Sequence, residues 1–181
     1  IEVVPSDTVW GNPRDRCYHC KKQILQHIQS AAVRFGVQIL MDGSNADDAQ
    51  VYRPGRKALA EMGIVSPLVE LGLTKTEIRQ LAQRVGLPNW ELEADTCMLT
   101  RLPYGTRTDP AILERIDRAE DFLLQVGFGN VRVRVHGALA RIEVSPSQRA
   151  LLFEDEMCSK VLALFERLGF RHISVDLRGY R

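Results

Sequence analysis

The sequence predicts an α/β chain in two parts, residues 1–95 and 96–181, and three features of its 181 residues carry that expectation. Apolar residues recur at helical spacing in segments that close on glycine. One short apolar run empties at once into a loop of Asp, Gly, Ser and Asn, as a strand buried in a parallel sheet does. Two later segments alternate strictly between apolar and polar residues, the pattern of strands with one buried face.

In chain order, Ile24, Leu25, Ile28, Ala31, Ala32 and Phe35 give one apolar face to a helix over 21–35, which Gly36 stops. Residues 37–41 form the buried strand, and "DGSNADD" at 42–48 is its polar exit, where ligands sit in open α/β sheets. Tyr52-Arg53-Pro54-Gly55 makes a turn before a helix over 57–62. Thr74 and Glu77 have capping-box spacing, so each side chain can satisfy an orphan N–H at a helix start. Ile78, Leu81, Ala82 and Val85 are that helix's expected buried stripe, and Gly86 with Pro88 ends it. No periodicity runs from 89 to 108, and the boundary between the two parts is placed there. Asp109-Pro110 then opens a helix as N-cap and first-turn proline, with Ile112, Leu113, Ile116, Leu123 and Val126 inward. Strands over 131–136 and 139–144 meet at Gly137-Ala138, and a helix over 148–168 with a strand over 172–177 completes an α-β-β-α-β unit, a small sheet with helices on one face.

Composition narrows the function classes. Twenty-four basic residues against 23 acidic ones leave a formal charge of +1, so no overall field draws the chain to nucleic acid or to an anionic membrane. No apolar run approaches the roughly 20 residues needed to span a bilayer, and the start has no signal-peptide character. A cytoplasmic location is the default. Ile1 in place of Met suggests a fragment of a longer chain.

Chemistry is concentrated in thiols and guanidiniums. Cys17 and Cys20 stand three apart in "RCYHCKK", Cys97 lies in a loop, and Cys158 sits among apolar helix positions, where a thiol is a small filler. Cys17, Cys20 and Cys97 leave several chemistries open. Zinc wants four ligands in a closed site, and His19, His27, His136 or His172 would have to supply the fourth. An iron–sulfur cluster can be held by three thiolates with one iron open. A redox pair lacks its preceding strand, and three unrelated thiols remain the bland reading. Arg132, Arg134 and His136 share one strand face, with Arg141 and Glu143 across the hairpin; this is either a solvated, charge-paired face or an anion cradle, because guanidinium forks bind phosphate and carboxylate bidentately. No Walker or dinucleotide-binding glycine motif occurs.

Taken jointly, "NPRDRCYHCKK" at 12–22, "DGSNADD", "YRPGRKAL" at 52–59, "LTKTEIRQLA" at 73–82, "GLPNW" at 86–90, "TCMLTRLPYGT" at 96–106, "VRVRVHGALARIEV" at 131–144 and "DLRGYR" at 176–181 resemble the LarE family of ATP-dependent sulfur transferases, PP-loop ATP pyrophosphatases of nickel-pincer nucleotide synthesis. The resemblance implies that residues 1–95 are part of a PP-loop parallel-sheet domain and 96–181 a substrate-binding α+β domain. It implies adenylylation of a carboxylate of a pyridinium dicarboxylate mononucleotide by ATP with Mg2+, then sulfur insertion to give a thiocarboxylate. Cys17, Cys20 and Cys97 look like the family's three-cysteine set for a [4Fe-4S] cluster, with Zn2+ as the alternative metal. Arg132, Arg134 and Arg101 would grip phosphate and carboxylates. Asp42, Asn45, Lys21 and Arg53 would lie on the nucleotide side, and Glu120 matches an acidic position associated with metal. A homo-oligomer is expected, other nickel-pincer biosynthesis proteins are possible partners, and no nucleic acid or membrane is. The family's Ser-Gly-Gly-x-Asp-Ser loop is absent, so the isolated chain is expected not to adenylylate. A PP-loop tRNA-thiolating enzyme and a non-enzymatic zinc-binding interaction module are the alternatives.

Overall fold

In the computed structural model, which describes residues 4–92 and 96–180, the chain divides into two compact units, Ile1–Asp95 and Thr96–Arg181. In the first, a short helix α1 (Asp7–Trp10) leads into α2 (Arg16–Arg34), followed by a 3-10 turn at Ala46–Gln50 and helices α3 (Gly55–Glu61), α4 (Pro67–Glu70) and α5 (Lys75–Arg84). Helix α2 begins five residues before the periodic stretch, so both cysteines of the pair are helical. It ends where expected, with Gly36 at φ +69°. Helix α3 packs on α2 at Gly55, where a Cβ would stand 3.3 Å from the Lys21 side chain. Leu25, Ala58, Leu59 and Ile64 form a small core there, with Tyr18, Leu40 and Met62 against it.

Two apolar segments of this unit behave differently from the expectation. Residues 37–41 form no ladder; the segment makes one parallel bridge, Met41 to Val65, through Val65 N–H to Leu40 O at 3.0 Å and Asp42 N–H to Val65 O at 2.9 Å. Val37, Ile39 and Met41 are exposed. A parallel strand is buried by neighbours in the sheet and by helices on its faces, and among the described residues this one has only Val65 beside it. Helix α5 likewise buries none of its residues, and Leu81 and Val85 face solvent. Its start is fixed by the expected capping box, in which Thr74 Oγ1 accepts from Glu77 N–H and Glu77 Oε2 accepts from Thr74 N–H.

The second unit places α6 (Pro110–Gln125) and α7 (Asp155–Arg167) against a three-stranded sheet of β1 (Arg132–His136), β2 (Leu139–Glu143) and β3 (His172–Val175), in the order β1-β2-β3. β1 and β2 are antiparallel, whereas β2 and β3 are parallel. The period of two sends Val133, Val135, Ala140 and Ile142 inward, onto Ile116, Ala119 and Leu123 of α6 and Val161 and Phe165 of α7. Asp109 caps α6 through Ile112 N–H, with Pro110 in the first turn. The single helix expected over 148–168 is a 3-10 turn, Arg149–Phe153, and then α7. Glu154 between them is extended, and Asp155 and Glu156 occupy the first turn of α7, where the helix dipole favours negative charge.

Strand β3 also stops two residues before the expected end. Asp176 N–H still reaches Ile142 O at 2.9 Å, but Tyr180 N–H then turns back to Val144 O at 2.8 Å. Gly179 makes that return possible: its φ is +71°, and a Cβ there would come within 2.5 Å of the Val144 carbonyl oxygen. Only glycine fits both demands. Gly179→Ala is therefore expected to cost about 1–3 kcal/mol, read as a lower urea midpoint with an unchanged slope.

Candidate functional site

The outer face of the sheet in the second unit carries the charged half of the alternation. Arg134 of β1 stands directly opposite Arg141 of β2, and Arg132 opposite Glu143. Like charges paired across a ladder repel. Glu143 offsets the repulsion from the diagonal position: its Oε1 accepts from Arg134 Nε at 2.6 Å and from Arg141 Nη2 at 2.9 Å, with the carboxylate only 8% exposed. Asp176 flanks Arg141 on its other side, 3.4 Å from Nε. Arg134 also donates to Thr100 O at 2.6 Å, which ties the loop before α6 to the sheet. These groups, with Arg178 from the turn after β3, line a cavity of about 460 Å³.

The cavity wall holds the guanidiniums of Arg101, Arg134, Arg141 and Arg178 against the carboxylates of Glu143 and Asp176. Arg101 is neutralised from behind. Its side chain is 2% exposed, and its Nε and Nη2 each donate at 2.8 Å to the two oxygens of Glu120. Its Nη1 donates to Thr96 and Thr100. The arginine expected to grip substrate thus stands in a buried bidentate pair. Glu120, expected near a metal, accepts from Val133 N–H at 2.7 Å as well, so both of its oxygens are engaged. Arg132 lies beside the cavity rather than in its wall: it donates to Tyr180 Oη at 2.9 Å and stacks 4.8 Å from the centroid of that ring. Arg178, Asp176 and Tyr180 have no role assigned from the sequence, which places Asp176 in the last strand and Arg178 and Tyr180 beyond it, with no sign of the turn that carries them over the sheet.

In the first unit, Asp42 is the centre of a small polar knot. Its carboxylate accepts from Ser44 Oγ at 2.5 Å, Ser66 Oγ at 2.6 Å and Ser44 N–H at 3.3 Å, and Lys21 Nζ lies 3.5 Å away. Burial alone would raise its pKa, but the serine hydroxyls, the Ser44 N–H and the Lys21 charge outweigh it and hold the carboxyl below the ordinary aspartate value. Asn45 caps the 3-10 turn, accepting from Asp47 and Asp48 N–H, and Arg53 pairs with Asp48 at 2.9 Å. Two of the four expected nucleotide-side residues, Lys21 and Asp42, are in contact; Asn45 and Arg53 meet through Asp48. A hollow of about 250 Å³ adjoins them, walled by Ser44, Ser66, Arg56 and Glu70.

Cys17 and Cys20 sit three apart in the first turns of α2, so their side chains neighbour one another on one helical face. Neither is in a disulfide, and Cys17 is exposed and Cys20 half-buried. Cys97 is a free, exposed thiol of the second unit, at the residue before the 3-10 turn Met98–Arg101. Accessible thiols suit soft metals and iron–sulfur clusters. Among the described residues, neither unit by itself gathers three His, Cys, Asp or Glu side chains into a metal site. Cys158 lines a small apolar hollow with Leu152 and Val161.

Two substitutions check these geometries. Glu120→Ala leaves a buried guanidinium without its partner and is expected to cost about 3–5 kcal/mol by urea denaturation, whereas replacing both Arg101 and Glu120 by apolar residues costs much less. For Asp42, the lowered pKa means that the native state favours the ionised form. The stability this adds is complete above the ordinary value of 3.8 and drains away as pH falls through the lower folded-state value. Asp42→Asn is expected to flatten that acid-side loss in urea midpoints followed across the range.

No family model matches the chain. It is 40% identical over 171 residues to an uncharacterized protein of Synechocystis sp. (strain ATCC 27184 / PCC 6803 / Kazusa), covering 94% of this chain and 64% of that protein. It is 29% identical over 183 residues to an uncharacterized protein of Methanocaldococcus jannaschii, covering all of this chain and 70% of that one. Against the pyridinium-3,5-bisthiocarboxylic acid mononucleotide synthase of Lactiplantibacillus plantarum it is 35% identical over 183 residues, again along its whole length and 65% of the synthase. The chain thus spans less than two thirds of the first and the third of these, and it is homologous to a LarE-type synthase along all of that span.

Proposed function

We propose that the chain serves ATP-dependent sulfur transfer onto the carboxylates of a pyridinium-3,5-biscarboxylate mononucleotide, a step in making the nickel-pincer nucleotide cofactor. The homologous synthase is named for the corresponding bisthiocarboxylic product. The observation that carries the reading is the guanidinium-lined cavity on the sheet of the second unit, since a phosphorylated dicarboxylate needs several fixed cations and the whole chain carries almost no net charge.

Replacing a carboxylate oxygen by sulfur requires a leaving group. ATP supplies one: the carboxylate attacks the α-phosphorus, pyrophosphate departs, and the acyl-adenylate so formed is attacked at its carbonyl carbon by hydrosulfide or an equivalent sulfur nucleophile. The tetrahedral adduct collapses with loss of AMP, leaving the thiocarboxylate and releasing the sulfur's proton. In this scheme Arg134 and Arg132 hold the substrate's anionic groups. Arg101, locked by Glu120, is a positioning residue that stiffens the wall. Lys21, Asp42, Asn45 and Arg53 serve the nucleotide side. Cys17, Cys20 and Cys97 would hold the [4Fe-4S] cluster, which supplies one iron open to an exogenous sulfur ligand.

Anaerobic purification followed by iron, sulfide and zinc analysis tests the thiol assignment. The expected protein is brown, with about four irons and four sulfides per chain, and loses both in Cys17→Ala, Cys20→Ala and Cys97→Ala. A colourless protein with stoichiometric zinc in its place supports the interaction module.

A further inference from the structure

Arg132 is held differently from Arg101 and Arg134, which carboxylates hold. Its Nη1 donates to Val131 O at 3.0 Å and its Nη2 to Tyr180 Oη at 2.9 Å, and its Cζ stands 4.8 Å from the centroid of the Tyr180 ring. A backbone carbonyl, a hydroxyl and an aromatic face thus fix the plane of the fork, and none of the three removes its charge. Glu143 stands directly opposite Arg132 in the ladder, yet its Oε1 goes to Arg134 and Arg141, and Arg132 makes no ion pair among the described residues. Nε–H and one N–H on each terminal nitrogen are left without a partner among those residues.

Tyr180 is itself held. The chain leaves β3, passes the end of β2 where Tyr180 N–H meets Val144 O, and sets the half-buried ring on Arg132 of β1. Gly179, which allows that return, lines the cavity, so the Arg132–Tyr180 pair adjoins the hollow at that edge. A carboxylate that holds a guanidinium also weakens its pull on a second anion. A neutral hydroxyl and a ring fix the fork and leave the pull intact.

We infer that Tyr180 is a positioning residue for substrate binding, holding the Arg132 guanidinium in place for the phosphate of the mononucleotide. This rests on the substrate reading given above. Two features select the phosphate over the ring carboxylates. A phosphate monoester carries close to two negative charges at neutral pH, and Arg132 keeps its charge unshared, whereas Arg134 and Arg141 share theirs with Glu143. Arg132 also lies beside the hollow and not in its wall. That suits the end of the ligand that the ribose separates from the pyridinium ring.

Binding is measured by calorimetry on the whole chain with two probes, pyridinium-3,5-biscarboxylate mononucleotide and the corresponding nucleoside, which lacks the phosphate. The ratio of the two affinities isolates the phosphate. Tyr180→Phe keeps the ring and the backbone anchor; it is expected to lower that ratio about threefold to tenfold while nucleoside affinity stays within about twofold of the wild type. Tyr180→Leu removes the ring as well and lowers the ratio further, by about twofold to fivefold. In an Arg132→Met background there is no guanidinium to position, and Tyr180→Phe leaves the ratio unchanged. A merely structural role for Tyr180 would instead weaken both probes alike. That outcome overturns the inference, as does a wild type that binds both probes equally, a ratio unmoved by Tyr180→Phe, or a drop that persists in the Arg132→Met background; each leaves the substrate reading standing. A wild type that binds neither probe overturns the substrate reading and the inference together.

Discussion

The cavity on the sheet depends on one carboxylate. Arg134 and Arg141 face each other across the β1–β2 ladder, an arrangement that costs stability wherever it is not compensated. Glu143 lies two pairs along, on the same face, and a single oxygen of it accepts from both guanidiniums. That shared acceptor turns two repelling side chains into a fixed pair of forks. Because Glu143 is itself buried by the groups it binds, the attraction is screened less than in a surface ion pair. The cluster thereby gains rigidity, and both guanidiniums are kept in the wall of the hollow.

Around that face the unit is built for stiffness. The apolar half of the same strands seals onto α6 and α7, and the Arg101–Glu120 pair links the loop before α6 to the helix and, through Val133 N–H, to β1. Buried ion pairs of this kind seldom add net stability over apolar substitutes. Their use here is geometric, because a bidentate fork fixes an angle that an apolar contact leaves loose.

Much of this unit was legible in the sequence. The alternation over 131–136 fixes which side chains share a face, and the Asp109-Pro110 cap gives the start of α6 within the accuracy of any boundary. The hidden part was non-local. Nothing in the spacing of Arg101 tells that a helix residue nineteen positions on will take its guanidinium, and nothing in "DLRGYR" announces a return that depends on a carbonyl at Val144. The first unit was less legible for a different reason. Its apolar runs suggest burial because periodicity reports which face could be covered, whereas burial needs a neighbour to cover it. Val37, Ile39, Met41, Leu81 and Val85 have the right spacing and face solvent. Local chemistry fared better there: the Thr74–Glu77 box is formed as its spacing foretold, and the Asp42 knot gathers serines from two loops that only the fold brings together.

In helix α5, local and tertiary support part company. Its ten residues are started by a reciprocal pair of hydrogen bonds, yet none of them is buried. A helix of that length draws little stability from propensity alone, so its amides should exchange with solvent through brief local opening, long before the sheet and α6 yield theirs. Whatever covers the α5 face in the working protein would slow that exchange, and would do so without altering a single residue of the helix.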